Sequence, residues 1–207
     1  MNALEVIGKV KLMIGEHEAV VKHENPFKVL ISTLLSQRTR DENTAKASSN
    51  LFSKYDNAKQ LSKASLKDIE RLIKPSGFYK VKAKRVKELA EQVVKNGMPK
   101  TFESLIKFHG VGRKTANCVL VYGYGIPAIP VDTHVHRIVN RVGLVKTQKP
   151  EQTEFELMKL VPKYKWLEFN DLFVKFGQRI CKPLRPLCNE VECLLRPVCY
   201  YYKKLKK

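Results

Sequence analysis

Acidic residues are scarce in this chain of 207 residues: 20 Asp and Glu stand against 39 Lys and Arg, which gives a formal net charge of +19 at pH 7. No stretch approaches the roughly 18 consecutive apolar residues that a membrane-spanning helix needs. The N-terminal stretch has charges where a secretion signal needs an apolar core. These absences predict a soluble, cytoplasmic protein. The excess of positive charge predicts binding to a polyanion, of which nucleic acid is the simplest example.

Alternation of apolar and polar residues with period two, which is typical of half-buried strands, is also missing. Apolar residues instead recur at helical spacing, and capping residues precede several of these stretches. The sequence therefore predicts an all-α fold, and it contains no internal repeat. The expected helices begin near Pro26 and cover roughly 41–55, 65–73, 80–96, 115–122, 133–143, 151–160 and 169–176.

The stretch 108–132, FHGVGRKTANCVLVYGYGIPAIPVD, is the centre of the sequence. A short helix capped by Thr101 precedes it, and Gly110 and Gly112 enclose Val111 in a tight turn before the next helix. Glycine permits positive φ and lets the backbone lie close to a ligand. A helix–hairpin–helix of this kind directs backbone N–H groups and the positive end of its second helix toward an anion, such as a nucleic-acid phosphate.

Two residues of this stretch carry candidate chemistry. Lys114 lies just past the turn, where partial burial and the positive end of a helix would favour the neutral, nucleophilic amine. Asp132 follows a loop rich in Gly and Pro, and its carboxylate could activate that amine and stabilise positive charge at a sugar C1′. The residues alone leave simpler roles open: a phosphate contact for Lys114 and a helix N-cap for Asp132.

Cysteines are few and unevenly placed. Of five, Cys118 lies alone on an apolar helix and is expected to be a small core residue. The other four lie close together near the C-terminus, where a metal site is favoured over disulfides in a reducing compartment. Four thiolates in one segment fit either a [4Fe–4S] cluster or tetrahedral zinc. The paired CxxC units of a classical zinc site are absent. These four are Cys181, Cys188, Cys193 and Cys199.

From about residue 26 to 200 the chain resembles the endonuclease III family of DNA glycosylases, on the phrases LLSQRTRDENT, GFYKVKAKRV, HGVGRKTANCVL and VDTHVHRIVNRVG. The resemblance implies two helical domains: 21–127 with the helix–hairpin–helix, and 1–20 plus 128–207 with an iron–sulfur cluster loop. The cleft between them would hold the site. The family's cysteine pattern implies a [4Fe–4S] cluster on the four C-terminal cysteines, although this chain has two more residues between Cys188 and Cys193.

The activity that the resemblance implies is that of a bifunctional DNA glycosylase and abasic-site lyase of base excision repair. Such an enzyme removes oxidised pyrimidines, for example thymine glycol, from duplex DNA. Lys114 would attack C1′ and form a Schiff base, Asp132 would assist, and β-elimination would nick the strand. The expected partner is double-stranded DNA with damaged bases or abasic sites, bound by a monomer in the nucleoid.

An enzyme that works at C1′ must turn the nucleotide out of the duplex, and the vacated space needs a filler. The resemblance assigns this task to Arg38, where the family usually has Gln, and to Phe78. The alternative is that Phe78 is a core residue and Arg38 a solvated or phosphate-bound charge. The remaining expected DNA contacts are Gly110, Val111, Gly112, Arg113 and Arg137.

Two rival functions share most of these features. A mismatch glycosylase without lyase activity has the same fold, but such relatives usually lack a lysine at the position of Lys114. A non-catalytic DNA-binding module with a metal staple would keep the hairpin, the charge and the cysteines. It would have no need of Lys114 together with Asp132.

Overall fold

The computed structural model describes residues 2–15 and 25–205, and the regular secondary structure of this part of the chain is all helical, without a strand. The all-α prediction is therefore confirmed. The chain forms two compact units, one of Met1–Lys22 with Pro127–Lys207 and the other of His23–Ile126. The domain boundary expected between residues 20 and 21 lies outside the described residues.

Twelve α-helices are present in the described residues. They are α1 (Ala3–Ile14), α2 (Pro26–Ser36), α3 (Asp41–Lys54), α4 (Ala58–Lys63), α5 (Leu66–Leu72), α6 (Tyr79–Asn96), α7 (Phe102–Leu105), α8 (Arg113–Cys118), α9 (Thr133–Val142), α10 (Pro150–Leu160), α11 (Trp166–Arg179) and α12 (Tyr200–Leu205). A π-helical segment, Val119–Gly123, continues α8, and short 3₁₀ turns cover Lys163–Lys165 and Leu187–Asn189. In the described part of the chain, no helix is both long and apolar enough to cross a membrane.

Helix α2 lies at the centre of the His23–Ile126 unit. The side chain of Asn25 accepts hydrogen bonds from the amides of Phe27 and Lys28, and Pro26 occupies the first turn, where it needs no amide hydrogen. The apolar face predicted from the spacing is buried and packs against α3, α6, α8 and the π-helical segment. Its fully buried residues are Leu30, Ile31, Leu34 and Leu35.

The other unit has its own core, built where α11 packs against α1 and α9. The rings of Phe169 and Phe173 stack with their centroids 4.2 Å apart. Helix α9 contributes the predicted face, including the fully buried Val135 and Ile138. Gly177 of α11 lets α9 come close, because a Cβ there would lie 2.5 Å from Nδ1 of His134.

The helix predicted over 115–122 differs in two ways from the structure. It begins at Arg113, because Gly112 has the extended backbone of an N-cap and its carbonyl already accepts from the amide of Ala116. From Val119 it widens to π-helix and ends at Gly123. A Cβ on Gly123 would lie only 2.9 Å from Cα of Pro26, so the absence of a side chain allows this segment to pack against α2.

Gly123→Ala is therefore expected to lower the free energy of unfolding by about 1–3 kcal/mol, because the new methyl group meets backbone that cannot move aside. Thermal or denaturant unfolding measures the change. Gly8→Ala is the matched control. Gly8 lies within α1 with no atom near the position of a Cβ, and alanine there should raise stability by up to about 1 kcal/mol. Equal effects of the two substitutions would contradict the packing argument.

Candidate active site

The hairpin has the predicted form. Oγ1 of Thr101 accepts from the amide of Ser104 and caps α7 at 3.2 Å. The turn is closed by the amide of Val111, which donates to the carbonyl of Phe108 at 3.0 Å. Gly110 has φ of +87° and needs to be glycine, whereas Gly112 has φ of −91°, which any residue adopts. Positive φ is thus needed at Gly110 and not at Gly112.

Lys114 is the second residue of α8 and is half-buried. The N-cap residue is Gly112, which has no side chain to cap the helix, so an external acceptor could take over the capping role. The guanidinium of Arg113 lies 4.4 Å from the ring centroid of Phe102, which joins the helices on either side of the turn. The hairpin thus combines uncapped backbone with two adjacent cationic side chains.

Asp132 is the N-cap of α9. Its Oδ1 atom accepts from the amides of His134 at 2.9 Å and Val135 at 2.8 Å, which fixes the direction of the carboxylate. The side chain is half-buried. The N-cap role weighed from the sequence is present, and it is compatible with a second role for the carboxylate. Lys114 and Asp132 belong to different compact units.

Arg38 and Phe78 lie on loops that precede α3 and α6. The side chain of Phe78 is 63% exposed, so the alternative that it belongs to the core is wrong. The Arg38 guanidinium lies 6.0 Å from the ring centroid of Phe78, within the range of a cation–π contact. Both residues have positive φ, 52° and 58°, and no other non-glycine residue of the described chain does.

Arg137 is turned toward the protein. Its guanidinium donates to the carbonyl oxygens of Cys181 at 2.8 Å, Gly177 at 3.3 Å and Thr133 at 3.3 Å. Burial lowers the pKa of Arg137. These contacts tie α9 to the segment that carries Cys181, and the expected phosphate contact of the half-buried Arg137 stays a prediction.

The four C-terminal cysteines line one cavity of the Pro127–Lys207 unit. None of them forms a disulfide. Burial raises the pKa of the Cys188, Cys193 and Cys199 thiols. Within 2–15 and 25–205, no three His, Cys, Asp or Glu side chains are arranged so that they could hold a metal ion.

Donors to sulfur are present around this cavity. Nη1 of Arg141 lies 3.5 Å from Sγ of Cys181, and the amide of Tyr202 lies 3.5 Å from Sγ of Cys199. Four thiols with N–H donors beside them, in a mostly apolar lining, are the donor set that an iron–sulfur cluster takes. By their chemistry these donors fit the expected cofactor, and the four thiols are not gathered around one point as a single metal ion would require. Cys118, in contrast, is buried in the other unit, as predicted for a core residue.

Lys82 on α6 is a further unusual residue that no motif marks. It is only 4% exposed, although its side chain is charged. The signal in the sequence is its place on the apolar stripe of α6, where it is followed at helical spacing by Val86, Leu89 and Val93. A lysine on such a stripe must find acceptors inside the protein.

Comparison with known proteins agrees with this geometry. The model of the HhH-GPD superfamily of base excision DNA repair proteins matches residues 31–163. Endonuclease III of Thermotoga maritima is 51% identical over 189 residues, which are 90% of this chain and 88% of that protein. The chain belongs to the HhH-GPD superfamily and, within it, to the endonuclease III family.

Solved structures give the same result. A trapped covalent intermediate of an endonuclease III with DNA matches with a TM-score of 0.88 and 32% identity, over 97% of this chain and 95% of that one. A thermostable thymine-DNA glycosylase matches with a TM-score of 0.82 and 26% identity, over 96% of this chain and 95% of that one. The fold is thus shared by glycosylases of different specificity.

The two hairpin glycines are expected to respond differently to substitution. An added Cβ meets no protein atom at either position. Gly112→Ala should therefore change stability by less than about 0.5 kcal/mol and weaken binding to duplex DNA about tenfold, because the methyl group occupies the space of an approaching phosphate backbone. Fluorescence anisotropy with labelled duplex measures the affinity.

Gly110→Ala serves as the comparison for this pair. Unlike Gly112→Ala, it should lower the free energy of unfolding by about 1–2 kcal/mol, because alanine is strained at positive φ. If Gly112→Ala binds DNA as tightly as the wild type, the hairpin backbone does not contact the DNA closely.

Proposed function

We propose that this protein is a bifunctional DNA glycosylase and abasic-site lyase of base excision repair that removes oxidised pyrimidines, such as thymine glycol, from duplex DNA. The observation that carries the proposal is the lysine in the first turn after the hairpin, in a chain 51% identical to an endonuclease III. A covalent intermediate on DNA, as trapped for a structural neighbour, requires a nucleophile on the protein, and Lys114 supplies a primary amine.

In the proposed reaction the amine of Lys114 attacks C1′ of the damaged nucleotide. The base leaves with the electron pair of the glycosidic bond, and loss of the proton from nitrogen gives a Schiff base as the sugar ring opens. Removal of a proton from C2′ then allows the C3′–O bond to break, and the 3′ phosphate departs with the electron pair. The strand is nicked by β-elimination, and water releases the enzyme from the imine.

Asp132 has two tasks in this scheme. Its carboxylate takes a proton from the attacking amine and stabilises the positive charge that develops at C1′ as the base departs. The hydrogen bonds that Oδ1 accepts from two backbone amides hold the carboxylate in place for both tasks. Because asparagine is an equally good N-cap, the catalytic and capping roles of Asp132 can be separated by experiment.

Contacts with DNA are proposed for the hairpin backbone at Gly110, Val111 and Gly112 and for the side chain of Arg113. Arg38 and Phe78 would fill the space that the extruded nucleotide leaves, since the exposed Phe78 ring can stack on a base. The net charge of +19 supplies long-range attraction to DNA. We place this activity with the nucleoid in the cytoplasm, and we take the two compact units as the two domains of the enzyme.

We further propose that Cys181, Cys188, Cys193 and Cys199 hold a [4Fe–4S] cluster. When bound, the cluster would supply structural order to this loop-rich segment and take no part in base removal. Arg141 supports the arrangement, because it reaches Cys181 and also donates to the carbonyl of Lys182 at 2.8 Å. The loop between Cys188 and Cys193, longer by two residues, brings Cys193 back to the cavity that the other three line.

Borohydride trapping tests the catalytic proposal. Wild-type protein should be trapped on duplex DNA that contains either an abasic site or thymine glycol, because borohydride reduces the Schiff base to a stable amine. Lys114→Gln should lose the adduct and strand cleavage while it keeps DNA affinity. Asp132→Asn should slow base release by about 10²- to 10⁴-fold and keep its thermal stability.

Lys107→Gln is the matched control, since it removes the same charge from an exposed position of the same hairpin. It should form the adduct at the wild-type rate. An adduct that persists in Lys114→Gln would refute the assigned nucleophile. If the wild-type protein forms an adduct on the abasic site but not on thymine glycol, the lyase activity is supported and thymine glycol is excluded as a substrate.

Metal and sulfide analysis tests the cofactor. Protein purified without oxygen should contain about four iron and four acid-labile sulfide per chain. Cys193→Ala should lose most of both, whereas Cys118→Ala should retain them, because Cys118 lies in the other unit. Stoichiometric zinc in place of iron would overturn the iron–sulfur assignment.

A second function is favoured by one observation, the similarity to a thymine-DNA glycosylase at 26% identity. A monofunctional mismatch glycosylase would release thymine from a mismatch and would form no borohydride adduct. Release of normal bases from mismatches by wild-type protein, with trapping absent on every substrate, would support this function in place of the first.

A further inference from the structure

Two loops of the His23–Ile126 unit present side chains to solvent from a strained backbone. One loop follows α2 and carries Arg38 with φ of 52°, and the other precedes α6 and carries Phe78 with φ of 58°. Residues with a Cβ persist in this conformation only where the surroundings hold them. Neither side chain supplies that restraint, because both are exposed. The backbones on either side of them must therefore be held from within.

The restraint comes from Lys82. Its ammonium nitrogen lies 2.7 Å from the carbonyl oxygen of Leu35, at the end of α2, and 2.6 Å from that of Gln37, in the first loop. It also lies 2.8 Å from Oγ1 of Thr39 and 2.8 Å from Oγ of Ser76. One charged group thus bridges both loops through four neutral oxygen atoms.

Direct bonds between the loops complete this bridge. The amide of Gly77 donates to Oγ1 of Thr39 at 3.1 Å, and Oγ of Ser76 donates to the carbonyl of Leu35 at 3.0 Å. The loops approach so closely that a Cβ on Gly77 would lie 3.2 Å from the carbonyl oxygen of Arg38. We call Lys82, Thr39, Ser76 and Gly77 the loop clamp.

The chemistry of Lys82 suits a clamp better than a reacting group. Burial lowers its pKa to about 8, and all four of its acceptors are backbone or hydroxyl oxygens of the protein. Taking a charge out of water is costly unless its hydrogen bonds are well made. A hydrophobic residue at this point of the apolar stripe would pack without that cost, but it would remove one hydrogen bond from each of the two carbonyl groups and one link between the loops.

We propose that Lys82 is a positioning residue that holds the Arg38 and Phe78 loops in one preformed arrangement, ready to enter the space left by an extruded nucleotide. The role of the loops in filling that space rests on the proposed function, but the clamp itself can be tested without DNA. A preformed pair of loops does not have to be ordered during binding, so less of the binding energy is lost to ordering.

Hydrogen exchange in the free protein tests the clamp. In Lys82→Met, which keeps the length of the side chain and removes its charge and donors, the amides of Gly77 and Thr39 should exchange at least about tenfold faster than in the wild type. Lys87→Met is the matched control on the same helix, because Lys87 donates to the carbonyl of Ala64, away from both loops. Unchanged exchange at Gly77 and Thr39 in Lys82→Met would overturn the proposal.

Thr39→Val provides a second variant of smaller effect, in case Lys82→Met does not fold. Valine keeps the shape of threonine but removes one acceptor of Lys82 and the acceptor of the Gly77 amide. The Gly77 amide should again exchange faster while the amides within α6 keep their protection. Loss of protection throughout α6 would show a general structural role and would also overturn the proposal.

Activity measurements test the purpose of the clamp. In single-turnover assays Lys82→Met should release thymine glycol about tenfold more slowly or worse, and it should nick a preformed abasic site with a smaller loss, because no damaged base has to be unstacked there. With 2-aminopurine opposite the lesion, the rise in fluorescence that reports unstacking should be smaller for Lys82→Met than for the wild type.

A double variant tests whether Lys82 acts through Phe78. In a protein that already carries Phe78→Ala, Lys82→Met should reduce the rate of base release by a smaller factor than it does in the wild type.

The outcomes separate the two proposals. Equal losses on both substrates, or full additivity with Phe78→Ala, would overturn the positioning role while the proposed function stands. If the wild-type protein releases no damaged base and nicks no abasic site, the proposed function fails, and hydrogen exchange alone still decides whether Lys82 clamps the loops.

Discussion

The contact between Gly123 and Pro26 connects the main features of the His23–Ile126 unit. Because glycine adds no side chain at this point, the helical stretch that begins at Arg113 and carries Lys114 packs against the first turn of α2. Helix α2 then runs through the core and ends at the loop that carries Arg38. The helical stretch after the hairpin packs against α2, and the loop with Arg38 follows α2 directly, so both adjoin one buried helix.

Positive charge is used in two ways in this chain. Most cationic side chains lie at the surface, where they contribute to the attraction of a polyanion. Lys82 and Arg137 are turned inward, and each donates to a loop carbonyl among its acceptors, that of Gln37 and that of Cys181 respectively. Surface pairs such as Glu5 with Lys9 involve some of the 20 acidic residues. Because carboxylates are few, neutral oxygen atoms serve as the partners of these two inward cations. Each cation contacts several oxygen atoms and so holds several segments of the chain in place.

Much of the fold and of the site was predictable because it rests on local rules. The apolar stripes of α2, α9 and α11, the cap at Asp132 and the glycine at position 110 follow from helical periodicity, N-cap chemistry and the need for positive φ. The short α4 and the π-helical segment were missed, since the six residues of α4 are too few for a period and since π-helix has no signature of its own. The inward turn of Arg137 was missed because two of its acceptors, the carbonyls of Gly177 and Cys181, lie forty or more residues away.

Residues close together in the chain were enough to predict the helical class, the faces that form the cores and the hairpin with Lys114 beside it, and four short phrases were enough for the resemblance to the endonuclease III family. Contacts between distant segments were needed to see that Phe78 faces solvent and that Lys82 joins two loops. The reason is physical: the exposure of a ring and the acceptors of a buried ammonium depend on segments far apart in the chain, which meet only when the core has closed.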